Sequence, residues 1–222
     1  MNRRLDLATA GILAAATAAL FLLVWLDGTR PTIRRVDGAF LRTMVDVRSA
    51  PLTALAHVLN VLGSIWVTLP ARLLVAAFLG IKRRWWHFIA FVSAMIVSEA
   101  AVGTLKALYD RPRPSGSLVE TSSASFPSGH AVAAAVTAVA IVIALFPPAG
   151  LHRWLWGTAA AVFAFLMALS RAYLAAHWLS DAVAGTLLGT SIALGTAVIV
   201  QGVRGKGEGR GAGPPGERPS RS

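Results

Sequence analysis

Cysteine is absent from this sequence of 222 residues, and charged residues are scarce at 14%. Without cysteine there is no disulfide framework, no thiolate nucleophile and no cysteine-ligated metal. A soluble domain averages about 25% charged residues, so the low charged fraction argues against one. Cysteine usage gives no information about the redox compartment.

Apolar residues make up 55% of the chain, and the mean hydropathy is +0.63. Long uncharged runs predict an integral membrane protein, since about 20 apolar residues cross a bilayer core. Acidic residues number 10 against 21 lysines and arginines, which gives a net charge of +11. On a membrane protein such an excess flanks spans and contacts anionic headgroups, so we expect no nucleic-acid partner.

The apolar runs predict an all-α fold, a polytopic membrane bundle with six transmembrane helices. The first run, Leu7–Leu26, is long for a cleaved signal peptide, so we expect it to remain as the first helix. The second span is expected in the later part of residues 52–81. The other four are predicted at residues 85–105, 128–146, 154–169 and 179–203. Residues 1–203 then form one membrane domain, and residues 204–222 are predicted to be a disordered basic tail on the cytoplasmic side.

A polar stretch over residues 27–50 separates the first two spans. Within it Val36, Phe40, Met44 and Val47 recur at helical spacing, which predicts a short amphipathic helix on the extracytoplasmic membrane surface. An ordinary loop is the alternative.

Basic clusters predict the orientation of the bundle. Six spans put both termini on one side, together with Arg3, Arg4, Arg153 and the cluster of residues 82–84. The positive-inside tendency makes that side cytoplasmic in a plasma (inner) membrane. Arginines in the loops on the other side weaken this assignment unless function holds them there. Three polar stretches from distant parts of the chain then meet at the extracytoplasmic face.

The first of these stretches follows residue 170 and combines Arg171, His177 and Asp181. On a helix His177 and Asp181 share one face. A carboxylate beside an imidazole can fix one ring nitrogen as N–H and leave the other free to attack. The arginine fork suits phosphate oxygens. The alternative is a set of polar residues that lies at a membrane boundary for solubility alone.

The second stretch ends the third predicted span with Lys106, Arg111 and Arg113. These cations can clamp a phosphate or anchor headgroups. The repeated Arg-Pro pattern leaves open which arginine points inward. Seven residues before Lys106, Glu99 is an ionisable group inside a span, for which we favour a structural pairing, with Arg72 as the candidate partner, over a catalytic role.

The third stretch, Ser128, Gly129 and His130, begins the fourth predicted span. Free backbone N–H groups at a helix start bind anions, and glycine lets an oxyanion approach closely. His130 can donate a proton there. Taken alone, serine after proline at a helix start is ordinary capping.

Taken in chain order, the three stretches resemble the signature of the type 2 phosphatidic acid phosphatases. The matching motifs are Lys106-x6-Arg113-Pro114, then Pro127-Ser128-Gly129-His130, then Ser170-Arg171-x5-His177-x3-Asp181. The six-span layout and the surface helix are also similar to the bacterial membrane branch of that family. The resemblance selects Arg113 over Arg111.

The resemblance implies a role for each matching residue. His177 would be the nucleophile that forms a phosphohistidine, Asp181 would orient it, and His130 would be the general acid. The residues that bind the phosphoryl oxygens would be Lys106, Arg113, Ser128, Gly129 and Arg171. His177→Ala is expected to abolish turnover, and Arg111→Ala to leave most of it.

The implied function is a metal-independent lipid phosphatase without a cofactor, whose partners are a lipid phosphate and the bilayer. No carboxylate cluster or His-x3-His pattern suggests a metal site. Undecaprenyl diphosphate is the favoured substrate, ahead of phosphatidylglycerophosphate and phosphatidic acid. The same residues would serve a lipid phosphotransferase, and a non-catalytic lipid-binding protein is the other alternative.

Overall fold

The computed structural model describes residues 3–26 and 31–211, with side chains over 7–26 and 31–205. Over these residues the chain forms eight α-helices and no β-strand, so the predicted all-α class is confirmed. The helices are α1 (Arg3–Leu26), α2 (Thr32–Asp46), α3 (Ala50–Leu62), α4 (Ile65–Ile81), α5 (Trp85–Tyr109), α6 (Gly129–Leu145), α7 (Leu151–Tyr173) and α8 (Leu179–Gly211).

Four helices are long and apolar enough to cross a bilayer, namely α1, α5, α7 and α8. α3 and α4 bend by 47° at the break between them and give a fifth span if the pair crosses as one. α6 is apolar but has only 17 residues, the lower limit of about 17–25 residues for a span. The described residues thus support four or five spans, and the predicted sixth stays a prediction.

The end of α8 differs from the sequence-based boundary. The helix continues to Gly211, whereas the sequence predicts an end near residue 203 and a disordered tail from 204. Residues 212–222 of that tail lie outside the described part of the chain, so its disorder stays a prediction, as does the division into two regions.

The centre of the bundle is the contact between α6 and α8, which two glycines make close. A Cβ atom at Gly185 would lie 2.6 Å from the carbonyl oxygen of Ser128, and one at Gly189 would lie 2.6 Å from that of Val132. Small residues at this spacing allow helix backbones to approach in a membrane protein. The four-residue spacing of these glycines therefore has a structural role. It holds the start of α8 against the start of α6.

α5 completes the core on one side of α6. Leu79 of α4, Phe91 of α5, and Val136 of α6 are buried together at 0–2% exposure. Alanines at 140, 144 and 193 fill the remaining space. α1 packs on the other side through Phe21, which contacts Phe126 with ring centroids 4.9 Å apart. Phe126 is fully buried, so α1 supports the segment that leads into α6.

The break between α3 and α4 lies at Gly63. A Cβ atom there would be 2.8 Å from Cδ2 of His130 and 2.8 Å from Cε of Met167. Since atoms of real side chains do not approach so closely, only glycine fits between these two side chains. The break therefore gives His130 its place at the start of α6.

α2 forms where the sequence predicts a short helix. Val36 and Val47 of the predicted apolar stripe are 54% and 47% exposed on the protein, as side chains that face lipid would be. The inward face instead carries Asp37, which is 2% exposed and paired with Arg111 at 2.7 Å. The buried ion pair of Asp37 with Arg111 therefore sets which side of α2 faces the protein. Apolar periodicity alone does not reveal this side. The position of α2 on the extracytoplasmic surface stays a prediction.

Gly189→Ala should destabilise the protein, because the new methyl group would lie 2.6 Å from a backbone oxygen of α6. Overpacking of this kind costs about 1–3 kcal/mol. The matched control is Gly195→Ala, where nothing lies within 4 Å of the added atom. The measurement is thermal unfolding of both variants in the same detergent. Equal melting temperatures would contradict the close contact between α6 and α8.

Candidate active site

Four helix ends meet at one end of the bundle and bring the polar motifs together. α5 and α7 end there with Lys106 and Arg171, and α6 and α8 begin there with His130 and Asp181. The antiparallel order of the last four helices produces this meeting, since every second helix points the other way. All eight site residues predicted from the sequence lie in this cluster or in its connecting loops.

His177 lies in the turn that follows α7. Ala175 adopts a positive φ of 53°, and the backbone N–H of His177 then donates to the carbonyl oxygen of Arg171 at 3.2 Å. This tight turn folds the imidazole back under the helix end, where the residue is 3% exposed. The ring is thereby held in place by the backbone and cannot swing into solvent.

The two ring nitrogens of His177 have different partners. Nδ1 lies 2.7 Å from the carbonyl oxygen of Ser125, which can only accept, so Nδ1 carries the hydrogen. Nε2 lies 3.1 Å from Nη1 of Arg113, which can only donate. Nε2 therefore keeps its lone pair. This is the tautomer that a nucleophile needs.

Burial lowers the pKa of His177 from 6.5 to about 4, and the neighbouring Asp181 opposes this shift only in part. Because the lowered pKa lies well below 7, the imidazole is neutral at physiological pH. It becomes protonated only as the pH falls through about 4.

Asp181 is fully buried, at 0% exposure. Its carboxylate accepts from Arg111 at 2.5 Å, from the hydroxyl of Ser125 at 2.6 Å and from the backbone N–H of Trp178 at 2.9 Å. It lies 3.6 Å from Nδ1 of His177, which is too long for a hydrogen bond. Asp181 thus acts on the imidazole through its charge and through Ser125, whereas the sequence suggested direct contact.

Arg111 corrects the interpretation of the Arg-Pro repeat. Its guanidinium is 12% exposed and bridges Asp181 of α8 and Asp37 of α2, at 2.5 and 2.7 Å. It also donates to the hydroxyl of Ser180 at 2.7 Å. Both arginines of the repeat therefore point inward: Arg113 faces the nucleophile, and Arg111 supports the carboxylate behind it. The structure thus adds Arg111 to the cluster, where the resemblance selected Arg113 alone.

Lys106 and Arg113 are held by the loop that precedes α6. Nε of Arg113 donates to the carbonyl oxygen of Ser123 at 2.6 Å, and its Nη1 donates to that of Ala176 at 2.7 Å. Nζ of Lys106 donates to the hydroxyl of Ser123 at 3.2 Å and to the carbonyl oxygen of Ala124. The loop carbonyls orient both cations beside His177 without neutralising them.

Arg171 approaches the cluster from the end of α7 and is 2% exposed. Its Nη1 donates to the side-chain oxygen of Asn60. Its Nε is buried and has no hydrogen-bond partner among the described residues. His130 lies close enough to Arg171 and His177 for both to act electrostatically on its ring. The two imidazoles therefore lie near each other at this end of the bundle.

Ser128 caps α6 at the centre of the site. Its backbone N–H donates to the carbonyl oxygen of Asp181 at 3.0 Å, which ties the starts of α6 and α8 together. Its hydroxyl oxygen accepts from the N–H of Ala131 at 3.5 Å, a weak contact that leaves the hydroxyl hydrogen available. Gly129 is the first residue of α6, where N–H groups and the positive end of the helix dipole favour an anion.

A cavity of about 170 Å³ adjoins His130. Apolar side chains line most of it, and the polar exceptions are Thr68 and Glu99. Glu99 forms the expected structural pair with Arg72, at 2.6 Å. The Glu99 side chain is nevertheless 59% exposed, so its carboxylate also borders the cavity.

Sequence reasoning missed four residues that the structure brings into the site: Asp37, Asn60, Arg111 and Ser125. Asp37 gives a partial signal, since it is an acid within the basic stretch of α2. The other three act through contacts between segments far apart in the chain, for which the sequence has no local signal. Within the described residues no group of three or more histidine, aspartate and glutamate side chains could hold a metal ion.

Comparison with known proteins agrees with the family resemblance seen in the motifs. A family model described as the PAP2 superfamily matches residues 87–204, which include all eight predicted site residues. Phosphatidylglycerophosphatase B of Bacillus subtilis (strain 168) is 30% identical over 163 residues, which are 71% of this chain and 79% of that protein.

Two solved structures are also similar to this chain. The first transmembrane PAP2-type phosphatidylglycerolphosphate phosphatase from Bacillus subtilis superposes with a TM-score of 0.73 at 27% identity, over 86% of this chain and 96% of that one. Aquifex aeolicus LpxE superposes with a TM-score of 0.58 at 25% identity, over 70% of this chain and 91% of that one.

Arg111→Ala should reduce phosphate release from a lipid phosphate by at least about a hundredfold, because two buried carboxylates lose their cation. Removing one partner of a buried ion pair costs about 3–5 kcal/mol, so the melting temperature should fall as well. The matched control is Arg35→Ala, an exposed arginine of α2, which should change neither quantity. Near-normal turnover in Arg111→Ala would restore the sequence-based expectation and remove Arg111 from the site.

Proposed function

Since the chain belongs to the PAP2 superfamily, we propose that it is a membrane lipid phosphatase that works through a phosphohistidine on His177. The observation that carries this proposal is the charge of the pocket. Lys106, Arg111, Arg113 and Arg171 supply four cations, and Asp37 and Asp181 neutralise two of them. The surplus of two positive charges matches a phosphate group, which carries about −1.5 to −2 at pH 7.

In the first step Nε2 of His177 attacks phosphorus. The bond from phosphorus to the leaving oxygen breaks, and His130 gives that oxygen a proton. Arg113, which already donates to Nε2 at 3.1 Å, lies where it can follow the phosphoryl oxygens. Preorganised donors of this kind supply most of the catalysis in phosphoryl transfer.

In the second step water replaces the lipid. His130, which has lost its proton, takes one from the attacking water, and the bond from phosphorus to Nε2 breaks. Phosphate leaves and His177 returns to its neutral form. The carbonyl oxygen of Ser125 keeps Nδ1–H throughout, and Asp181 holds Ser125 in place, so the imidazole reforms in the same tautomer. The cations supply the charge stabilisation, so we propose that no metal ion is needed.

The cavity beside His130 supports a lipid leaving group, because the general acid must contact the leaving oxygen. We propose phosphatidylglycerophosphate as the first substrate, in line with the name of the Bacillus subtilis relative and of the similar solved structure. Its leaving group carries a hydroxyl that can donate to Glu99. Both leaving groups are anionic, but undecaprenyl phosphate carries its charge at the leaving oxygen itself, whereas the phosphodiester of phosphatidylglycerol lies one glycerol away. The first would meet the Glu99 carboxylate unfavourably, so we place undecaprenyl diphosphate, which the sequence favoured, second.

We propose that the active site faces the extracytoplasmic side of a plasma membrane. Lys82, Arg83 and Arg84 lie at the opposite end of the bundle, and the positive-inside tendency assigns that end to the cytoplasm. In this arrangement α6 crosses as a short sixth span, and α2 lies along the outer surface with Arg34, Arg35 and Arg42 exposed to headgroups.

Phosphorylated His177 should accumulate when the enzyme turns over p-nitrophenyl phosphate, whose leaving group needs little help from His130. A rapid alkaline quench should trap one acid-labile phosphate per chain, with EDTA present throughout. His177→Ala should trap none, and the exposed His152→Ala should behave as wild type. Because burial lowers the pKa of His177 to about 4, the trapped amount should hold from pH 8 to about pH 5 and fall through about pH 4.

A phosphate trapped in His177→Ala would contradict the assigned nucleophile. If EDTA abolished the activity and added Mg²⁺ restored it, the metal-free chemistry would be contradicted.

Free phosphate release from purified enzyme should be faster with phosphatidylglycerophosphate than with undecaprenyl diphosphate or phosphatidic acid. Glu99→Gln should lower the ratio of kcat/KM between the first two substrates by about tenfold or more, since a hydrogen bond to a charged group contributes about 1.5–3 kcal/mol. An unchanged ratio would mean that Glu99 only pairs with Arg72. Phosphate release that depends on an added acceptor would indicate a phosphotransferase.

A further inference from the structure

A second cavity, of about 290 Å³, lies at the end of the bundle opposite the candidate active site. The start of α5, the ends of α6 and α8 and the start of α7 surround it. His87 lies there on α5, and Lys106 lies at the catalytic end of the same helix. At a rise of about 1.5 Å per residue the two ends are about 30 Å apart, the thickness of a bilayer core. The cavity and the active site therefore face opposite membrane surfaces.

The wall of this cavity is an apolar slot made largely of alanines. Phe91 of α5 closes it at depth, and four alanines leave the space that larger side chains would fill. All five side chains are at most 5% exposed in the folded chain. The alanines are Ala140, Ala144, Ala193 and Ala197. The apolar lining of this slot matches a hydrocarbon chain in polarity.

The rim of the cavity is basic. Arg84, Arg153 and Arg204 line it together with His87, and both Arg84 and Arg204 act electrostatically on that imidazole. Among the described residues that line the cavity there is no carboxylate. A group of cations at one cavity raises the local positive potential, which attracts an anion. Trp86, at the same level, is typical of a membrane interface.

We propose that this cavity binds one anionic phospholipid of the adjacent leaflet, with its phosphate at the arginine rim and part of one acyl chain in the alanine slot. Basic pockets between membrane helices hold anionic headgroups, and arginine forks match phosphate oxygens. The volume lies just below the range of about 300–1,000 Å³ for whole ligands, so the rest of the lipid stays in the bilayer. Lipid binding at this second cavity involves no chemical step and does not depend on the proposed reaction.

The test uses the full chain, purified in detergent and delipidated, and measures bound lipid by native mass spectrometry. Phosphatidylglycerol and phosphatidylcholine with the same acyl chains are added in parallel. Wild-type protein should retain one phosphatidylglycerol in preference to phosphatidylcholine. Arg84→Gln with Arg204→Gln should lower that retention by about tenfold or more. Arg84 makes no side-chain cap contact with α5, so its replacement does not remove a helix cap.

The matched control is Lys82→Gln with Arg83→Gln, which removes two exposed cations at the same membrane level outside the cavity. It should retain the lipid as wild type does. A second pair tests the slot: Ala197→Phe should exclude the lipid, whereas Ile199→Phe, on the 66% exposed face of α8, should not. Size-exclusion profiles and circular dichroism verify folding without reference to activity.

Equal loss in both double variants would mean that general surface charge holds the lipid, and this would overturn the site. Equal retention of the two phospholipids would overturn it as well. Displacement of the lipid by inorganic phosphate alone would identify a free-anion site and reject the phospholipid. Unchanged binding in every variant would place the retained lipid elsewhere, for instance in the catalytic pocket.

Discussion

The ion pair between Asp181 and Arg111 is the contact on which the rest of the site depends. An unpaired carboxylate buried at this depth would be neutral, since the charged form is costly away from water. Arg111 keeps it ionised and links it to Asp37 on α2. The surface helix, the loop before α6 and the start of α8 therefore meet in one chain of charges. The position of His177 follows from this chain, because Ser125 donates to Asp181 and its carbonyl oxygen accepts from the imidazole.

The same contact explains why the site is strongly cationic without being unstable. Two carboxylates neutralise two arginine or lysine charges, and loop carbonyls solvate Lys106 and Arg113. The remaining positive charge lies near the two histidines. A helix N-terminus adds partial positive charge on the same side. Such a pocket is poised for a doubly charged anion, and it needs little rearrangement when charge moves in the transition state.

Sequence reasoning reached the site because the chemistry lies in short motifs at helix ends. The spacing from His177 to Asp181 and the start at Ser128 have local signatures. Arg111 and Asp37 do not, because their partners come from α8 and α2, more than 60 residues away along the chain. The side of α2 that faces the protein lacks a local signal for the same reason, since the buried ion pair of Asp37 defines it. The break at Gly63 was also missed, since only the nearby His130 and Met167 require a glycine there.

The motif residues lie on the phosphate side of the pocket and not on the leaving-group side. The motifs therefore indicate a reaction but not a substrate. In the proposed reaction Lys106, Arg113, Arg171 and His177 act on the phosphoryl group, which every candidate lipid shares. Selectivity must therefore come from the leaving-group side, where the cavity beside His130 is apolar except at Thr68 and Glu99. Glu99 belongs to none of the three motifs, and its pairing with Arg72 gives it a structural role of its own. A residue of this kind can change between relatives without disturbing phosphate binding. Substrate choice can then diverge within one conserved chemistry, and the contacts of Glu99 are where we expect this chain to make its choice.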